Sequence, residues 1–233
     1  TLKAPPSRSS GALGLSALGT FTMCVAPFVG QATPIMSNYV PVLDGPVFLG
    51  GLLLFGGGIV VLCLRSMLAA PPIGSHITGD GALRFGLNAA MVASAVAAIA
   101  FAWSWFEIPR TLDSRIYYEV LFWGGGHVLQ FAYTLLMLVC WIWLGSAVGA
   151  QLPLSPRIVT LLFAIVLISV FLTPITYLAY SVLSVEHHTM QTLLMRFGGG
   201  LVIPPIALAV VWSLLSVRVT DPRLLPLRTS LIA

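Results

Sequence analysis

Charge is what this sequence has least of. Only 8% of its 233 residues are Asp, Glu, Lys or Arg, against roughly a quarter in a soluble domain. With 58% of residues hydrophobic, a water-facing surface could not be made from what remains. Acidic residues number seven and basic residues eleven, for a net charge of +4. The basic residues form no run or patch, which excludes a nucleic-acid-binding protein. Cysteine is also scarce. Cys24, Cys63 and Cys140 fall inside apolar stretches without metal-ligand spacing, so a disulfide framework or thiolate metal site is excluded and they read as small core residues. No cleavable signal peptide is expected from the first residues.

What the sequence does have is apolar runs of membrane-spanning length, which takes about 20 residues. Six segments qualify, over 10–30, 46–66, 84–106, 118–148, 157–181 and 189–217. Breakers separate them: Pro41 and Asp44-Gly45-Pro46, Pro71-Pro72, Pro109, and Pro153 with Pro156. The fold class is therefore an all-α integral membrane protein, a single transmembrane domain over 1–233. Six spans put both termini and the second and fourth connections on one side, with Lys3, Arg8, Arg65, Arg84, Arg157, Arg218, Arg223 and Arg228. The other side has Arg110 and Arg115. Basic residues concentrate in the cytoplasm, so the N- and C-termini are expected there.

Ionisable and polar groups at membrane depth need a reason. His127 lies about 13 Å into the fourth span, behind Gly124-Gly125-Gly126 and one turn before Gln130. A glycine run lets a bulky group, a backbone or a cofactor come close. His187 and His188 are expected at the outer end of the fifth span, the same membrane half as His127. Two readings stand side by side. The imidazoles either hydrogen-bond neighbouring helices, or meet at one point, where three neutral imidazoles suit copper, iron or zinc. His76 lies in the second connection and reads as solvated.

Thr173, Thr176, Tyr177, Tyr180, Ser181 and Ser184 share one face of the fifth span, which one further turn carries to the histidine pair. Such a row either relays protons or hydrogen-bonds adjacent helices. Arg196, two turns into the sixth span, requires an anion; Glu186 and Glu119 are candidates within the chain. Phe55, Trp123 and Phe197 each precede three glycines, so these spans pack closely or approach a flat ligand. Pro204-Pro205 should kink the last span.

The sequences WGGGHVLQF and, some sixty residues on, EHHTMQ resemble the catalytic subunit of the heme-copper oxidase superfamily, which includes the nitric oxide reductases. NYVPVLDGP adds lighter support. The resemblance places the six spans on that family's third to eighth helices. It implies a bacterial-type inner membrane and makes His127, His187 and His188 ligands of copper or non-heme iron. Tyr177 or Tyr180 would stand for the family's active-site tyrosine, because the position four residues after the first ligand is Phe131 here. Arg196 would bind a heme propionate. The family's heme-ligating helices have no counterpart in this chain, so heme would be ligated by another chain or by residues outside this sequence. Other membrane subunits and a heme-bearing or cytochrome c-type electron donor are the implied partners, with lipid as solvent. The alternatives are a non-catalytic subunit that kept the fold, a nitric oxide reductase-like subunit, or a small transporter.

The basic asymmetry predicts that reporters fused between the third and fourth spans, and between the fifth and sixth, read as external. A cytoplasmic reading at either place would reverse the orientation.

Overall fold

Stretches of apolar sequence in lipid must satisfy every backbone hydrogen bond internally, which selects helices. The computed structural model describes residues 10–30, 32–69 and 77–233, and it is 78% helical. The long helices are α1 (Ser10–Val25), α2 (Pro46–Leu68), α3 (Gly79–Glu107), α4 (Ser114–Ala147) and α5 (Pro156–Ala179). A last broken unit joins α6 (Val185–Leu194), a π-helical turn (Met195–Gly199) and α7 (Ile203–Ser216); a short α8 (Leu225–Ile232) follows. Six of these units are long and apolar enough to cross a membrane. The chain is a multi-pass, all-α membrane protein.

Local chemistry sets the helix starts. The Thr78 hydroxyl accepts from the Gly81 N–H, the Asp113 carboxylate from Arg115 and the Ser155 hydroxyl from Ile158. Each occupies an otherwise orphaned first-turn donor. Pro46 and Pro156 open α2 and α5, where a missing N–H costs nothing.

Several sequence expectations are corrected. The histidine pair is not in a loop at the end of the fifth span. That helix stops at Ala179, and Ser184 caps α6 by accepting the His187 N–H, so both histidines stand in the first turn of the next helix. The hydroxyl face of α5 therefore does not continue to them. Thr173, Thr176 and Tyr177 are buried, while Tyr180 and Ser181 turn outward. The last span is interrupted at 200–202, one turn before Pro204-Pro205, where the two missing N–H groups and the proline rings break the helix as expected, and the π turn precedes that break. Cys63 is buried, but Cys24 and Cys140 are exposed, since lipid accepts a thiol as readily as a core does. His76, Lys3, Arg8 and Pro71-Pro72 lie outside the described residues.

Packing follows the small residues. Ala82, Ala89, Ala90, Ala93 and Ala97 present a flat face of α3 to Val128, Phe131, Leu135 and Val139 of α4 and to Phe163 and Val166 of α5. Helix α4 contacts α3, α5, α6, α7 and α8 and so forms the spine of the bundle. At α1 and α2 the backbones nearly touch. A Cβ on Gly19 would lie 2.8 Å from Phe55 Cα, and one on Gly58 2.8 Å from the Ala12 carbonyl oxygen. This is the small-residue contact that replaces hydrophobic driving force in lipid.

The connection from α1 to α2 folds into a hairpin, β1 (Thr33–Ile35) against β2 (Val42–Asp44), with Ile35 paired to Val42. Ile35 and Val42 pack into a second core with Ala100, Tyr117, Tyr118, Leu121, Phe122 and Tyr177. That anchorage holds the hairpin's tip over one end of α4.

The close contact predicts that G19V lowers the unfolding temperature in detergent, at about 1–3 kcal/mol for overpacking. The control G14V, which meets nothing within 4 Å, leaves it in place. Equal midpoints for the two would remove this helix pair from the stabilising core.

Candidate functional site

The WGGGH sequence becomes intelligible once its neighbours are named. Each glycine receives a different aromatic ring. Gly124 lies under Tyr177 of α5, Gly125 under Phe101 of α3 and Gly126 under Tyr39 of the hairpin tip. A Cβ at Gly124 would stand 2.9 Å from Tyr177 Cζ, and one at Gly126 2.6 Å from Tyr39 Cδ1. Any side chain would push these rings away. The glycines are thus filled by the chain's own aromatic residues. Gly198 and Gly199 likewise receive Ser169 and Phe131.

His127 is buried just beyond them. Its Nδ1 is 2.8 Å from the Trp123 carbonyl oxygen. A carbonyl only accepts, so Nδ1 carries the proton and Nε2 keeps its lone pair. Thr192 Oγ1 lies 3.2 Å from Nε2, but its proton goes to the His188 carbonyl oxygen at 2.9 Å. The Tyr39 hydroxyl is then the one donor left for Nε2, at a long 3.3 Å. An imidazole with one N–H tied to a backbone carbonyl and the other nitrogen weakly occupied is the usual arrangement of a metal-ligating histidine.

His187 and His188 carry the same sign more plainly. His187 Nδ1 and His188 Nε2 are buried without a hydrogen-bond partner, which ordinarily costs 1–3 kcal/mol each. The His187 ring meets the edge of Tyr177, centroids 4.6 Å apart, and lies 6.2 Å from His188. Trp123 packs against both His127, at 4.9 Å, and His188, at 4.7 Å. All three imidazoles therefore belong to one cluster beneath the hairpin. They do not converge on a point. Among the described residues no three His, Cys, Asp or Glu side chains are arranged to hold a metal ion, and the Trp123 indole packs against both His127 and His188.

The other site residues divide. Tyr177 is buried in the cluster, donating to the Ala100 carbonyl oxygen at 3.2 Å and meeting the Ser104 hydroxyl at 3.1 Å. Tyr180 is 38% exposed beyond the end of α5. Arg196 is exposed and pairs with neither Glu186 nor Glu119; its guanidinium lies 5.7 Å from the Phe197 ring centroid. Glu119 instead accepts from the Asn38 main chain and side chain, pinning the hairpin tip. Phe131 is buried against the glycines of the π turn.

Sequence reasoning missed Tyr39, which covers His127 with its hydroxyl oxygen 2.8 Å from Nδ1 and 3.3 Å from Nε2 and receives the Gln130 amide at 3.3 Å. Burial pushes its phenol up to about 12, and the nearby Glu119 carboxylate adds to the rise. It stays protonated at neutral pH. Gln191 was missed as well, although it stands one turn after His187; buried, it donates to the Thr176 hydroxyl at 2.6 Å. Tyr39 lies in the NYVPVLDGP stretch, but nothing local ties it to His127, 88 residues away.

No known family description matches this chain, and no solved structure matches it. It is similar to an uncharacterized protein of Rickettsia prowazekii, 22% identical over 193 residues, 80% of this chain and 37% of that protein. It is also similar to an uncharacterized protein of Aquifex aeolicus, 31% identical over 160 residues, 69% of this chain and 38% of that one. The chain thus spans less than two-fifths of the length of either relative.

If Tyr39 is the cover of His127, the Y39A and G126V proteins will be modified at His127 by diethylpyrocarbonate an order of magnitude faster than wild type. Y39F, which keeps the ring, will stay near the wild-type rate. Peptide mass spectrometry reads the site directly. No acceleration in Y39A would assign the cover elsewhere.

Proposed function

We propose that this chain is a segment or split subunit of a heme-copper-type oxygen-reducing complex, in which His127, His187 and His188 would hold the non-heme metal once drawn together from the arrangement described above. The observation that carries the reading is the unspent nitrogen on each imidazole of a single buried cluster, two of them without any partner. Desolvated neutral nitrogens without donors are what a soft or borderline cation such as copper, or non-heme iron, binds. Such a metal would supply a Lewis-acid centre able to polarise a diatomic substrate.

The chain's own residues do the rest. The Trp123 carbonyl keeps the His127 proton on Nδ1 and presents Nε2. The Tyr39 ring and the hairpin behind it cover that imidazole. Tyr177 holds a proton on its hydroxyl beside His187, within reach of Ser104. Gln191 and Thr176 extend the buried polar row along α5 and α6. Tyr180 has no part in this arrangement. Heme would be ligated by another polypeptide or by residues outside this sequence, and a heme-bearing or cytochrome c-type partner would be the electron donor. The complex belongs in a bacterial-type inner membrane, with the N- and C-termini on the cytoplasmic side, as the basic residues favour.

A second reading has two observations in its favour. Phe131 occupies the position where many of the resembled oxidases carry a tyrosine, and the three imidazoles are not arranged to hold a metal ion. Both suit a non-catalytic subunit that kept the fold and the histidines.

Affinity purification of the complex from native membranes, with metal analysis and optical spectroscopy, separates the two. The expected result is about one copper or iron per chain, lost in H127A and in H187A,H188A, with heme in the complex and none bound by the 233-residue chain alone. Wild-type complex without copper or iron would sink the catalytic reading in favour of the structural one. Heme bound stoichiometrically by this chain alone would show the ligand assignment to be wrong.

A further inference from the structure

Among the described residues Arg196 is the one basic residue set well inside a membrane span. It lies about 16 Å along the unit Val185–Ser216 from its first residue. It is exposed, and among the described residues no carboxylate is within ion-pair distance of it. Its surroundings are apolar: Phe197 is 53% exposed and Leu201 63%. A guanidinium there is costly unless an anion meets it. The backbone at this residue is also unusual. Arg196 falls within the π turn Met195–Gly199, and such turns concentrate at functional positions in helices.

The anion cannot come from this chain or from a second copy of it. Its seven acidic residues are Asp44, Asp80, Glu107, Asp113, Glu119, Glu186 and Asp221. Asp44 ends the hairpin, Asp80 and Glu107 stand at the two ends of α3, and Asp113 and Glu119 lie at the start of α4. Glu186 is in the first turn of α6 and Asp221 follows α7. None sits at the depth of Arg196, and Glu119 is already held by Asn38. The two curated relatives are more than twice as long as the part this chain matches, so proteins of this kind contain further polypeptide.

We infer that the exposed face around Arg196, Phe197 and Leu201 docks a membrane-spanning helix absent from this sequence, which presents an Asp or Glu carboxylate to the guanidinium. The inference rests on the arginine and does not depend on the metal chemistry.

The test uses the complex in native membranes, tagged on this chain. R196Q, which removes the charge, should shift most of the chain from the large native-gel species to a smaller one, while R196K retains more than half in the large species. Metal content at the histidines, read on the same material, reports the catalytic proposal separately. Dicyclohexylcarbodiimide, which partitions into lipid, then identifies the acid. It activates a carboxylate, and the R196K amine displaces the urea to leave an amide. Mass spectrometry should find that amide on an Asp or Glu of an apolar peptide outside this sequence. An amide to an acid of this chain, to a heme propionate, or to lipid alone, overturns the inference. So does an R196Q complex of unchanged mass, the outcome expected if the guanidinium only reaches lipid phosphate.

Discussion

Three consecutive glycines on α4 remove the side chains from one strip of the bundle's central helix, and the arrangement around His127 depends on that bare strip. Rings from three elements distant in sequence, Tyr39, Phe101 and Tyr177, lie directly on the helix backbone. Their seating draws the hairpin, α3 and α5 against α4 at the level of His127. Substituting any of the three glycines would press a Cβ into an aromatic ring, and a close-packed interior absorbs such intrusions poorly.

Around this strip the chain keeps its polar atoms in a narrow zone. Tyr39, His127, Thr192 and Gln130 form one connected group, and Tyr177, Ser104, Thr176 and Gln191 form another, with His187 and His188 between. Nearly every member has a partner within the group. The exceptions at the histidines are two imidazole nitrogens. In a medium that offers no water, an unpartnered nitrogen is a larger anomaly than in a soluble core. That contrast is the physical ground for reading the cluster as a ligand site rather than as interhelical adhesive.

The number and limits of the helices were legible because lipid imposes a simple rule. Apolar runs bounded by Pro41, Asp44-Gly45-Pro46, Pro109, Pro153 and Pro156 had few alternatives, and α2 and α5 begin where their prolines stand. The turn between α5 and α6 was misjudged for an equally definite reason. Hydroxyl periodicity continues past Ala179, but Ser184 offers its side chain as a cap and restarts the helix at Val185. Periodicity alone cannot distinguish a continuing face from a new helix that happens to begin in phase. Tyr180 was assigned to the site on that continuity and lies outside it.

Composition and patterning by themselves determined that the chain carries six helices long and apolar enough to cross a membrane, and made a meeting of His127, His187 and His188 one of two open readings. These properties are carried by short-range features: run length, breakers, and ionisable groups at depth, whose burial is costly wherever they are. Only the tertiary structure decided which ring fills which glycine, that Tyr39 covers His127, that Trp123 packs against two imidazoles, and that Arg196 faces out of the bundle. Those outcomes depend on the rotation of each helix about its axis and on contacts between residues up to 88 positions apart. Helix rotation in lipid is set by packing against neighbours and not by a gradient of polarity along the sequence, so no single segment encodes it.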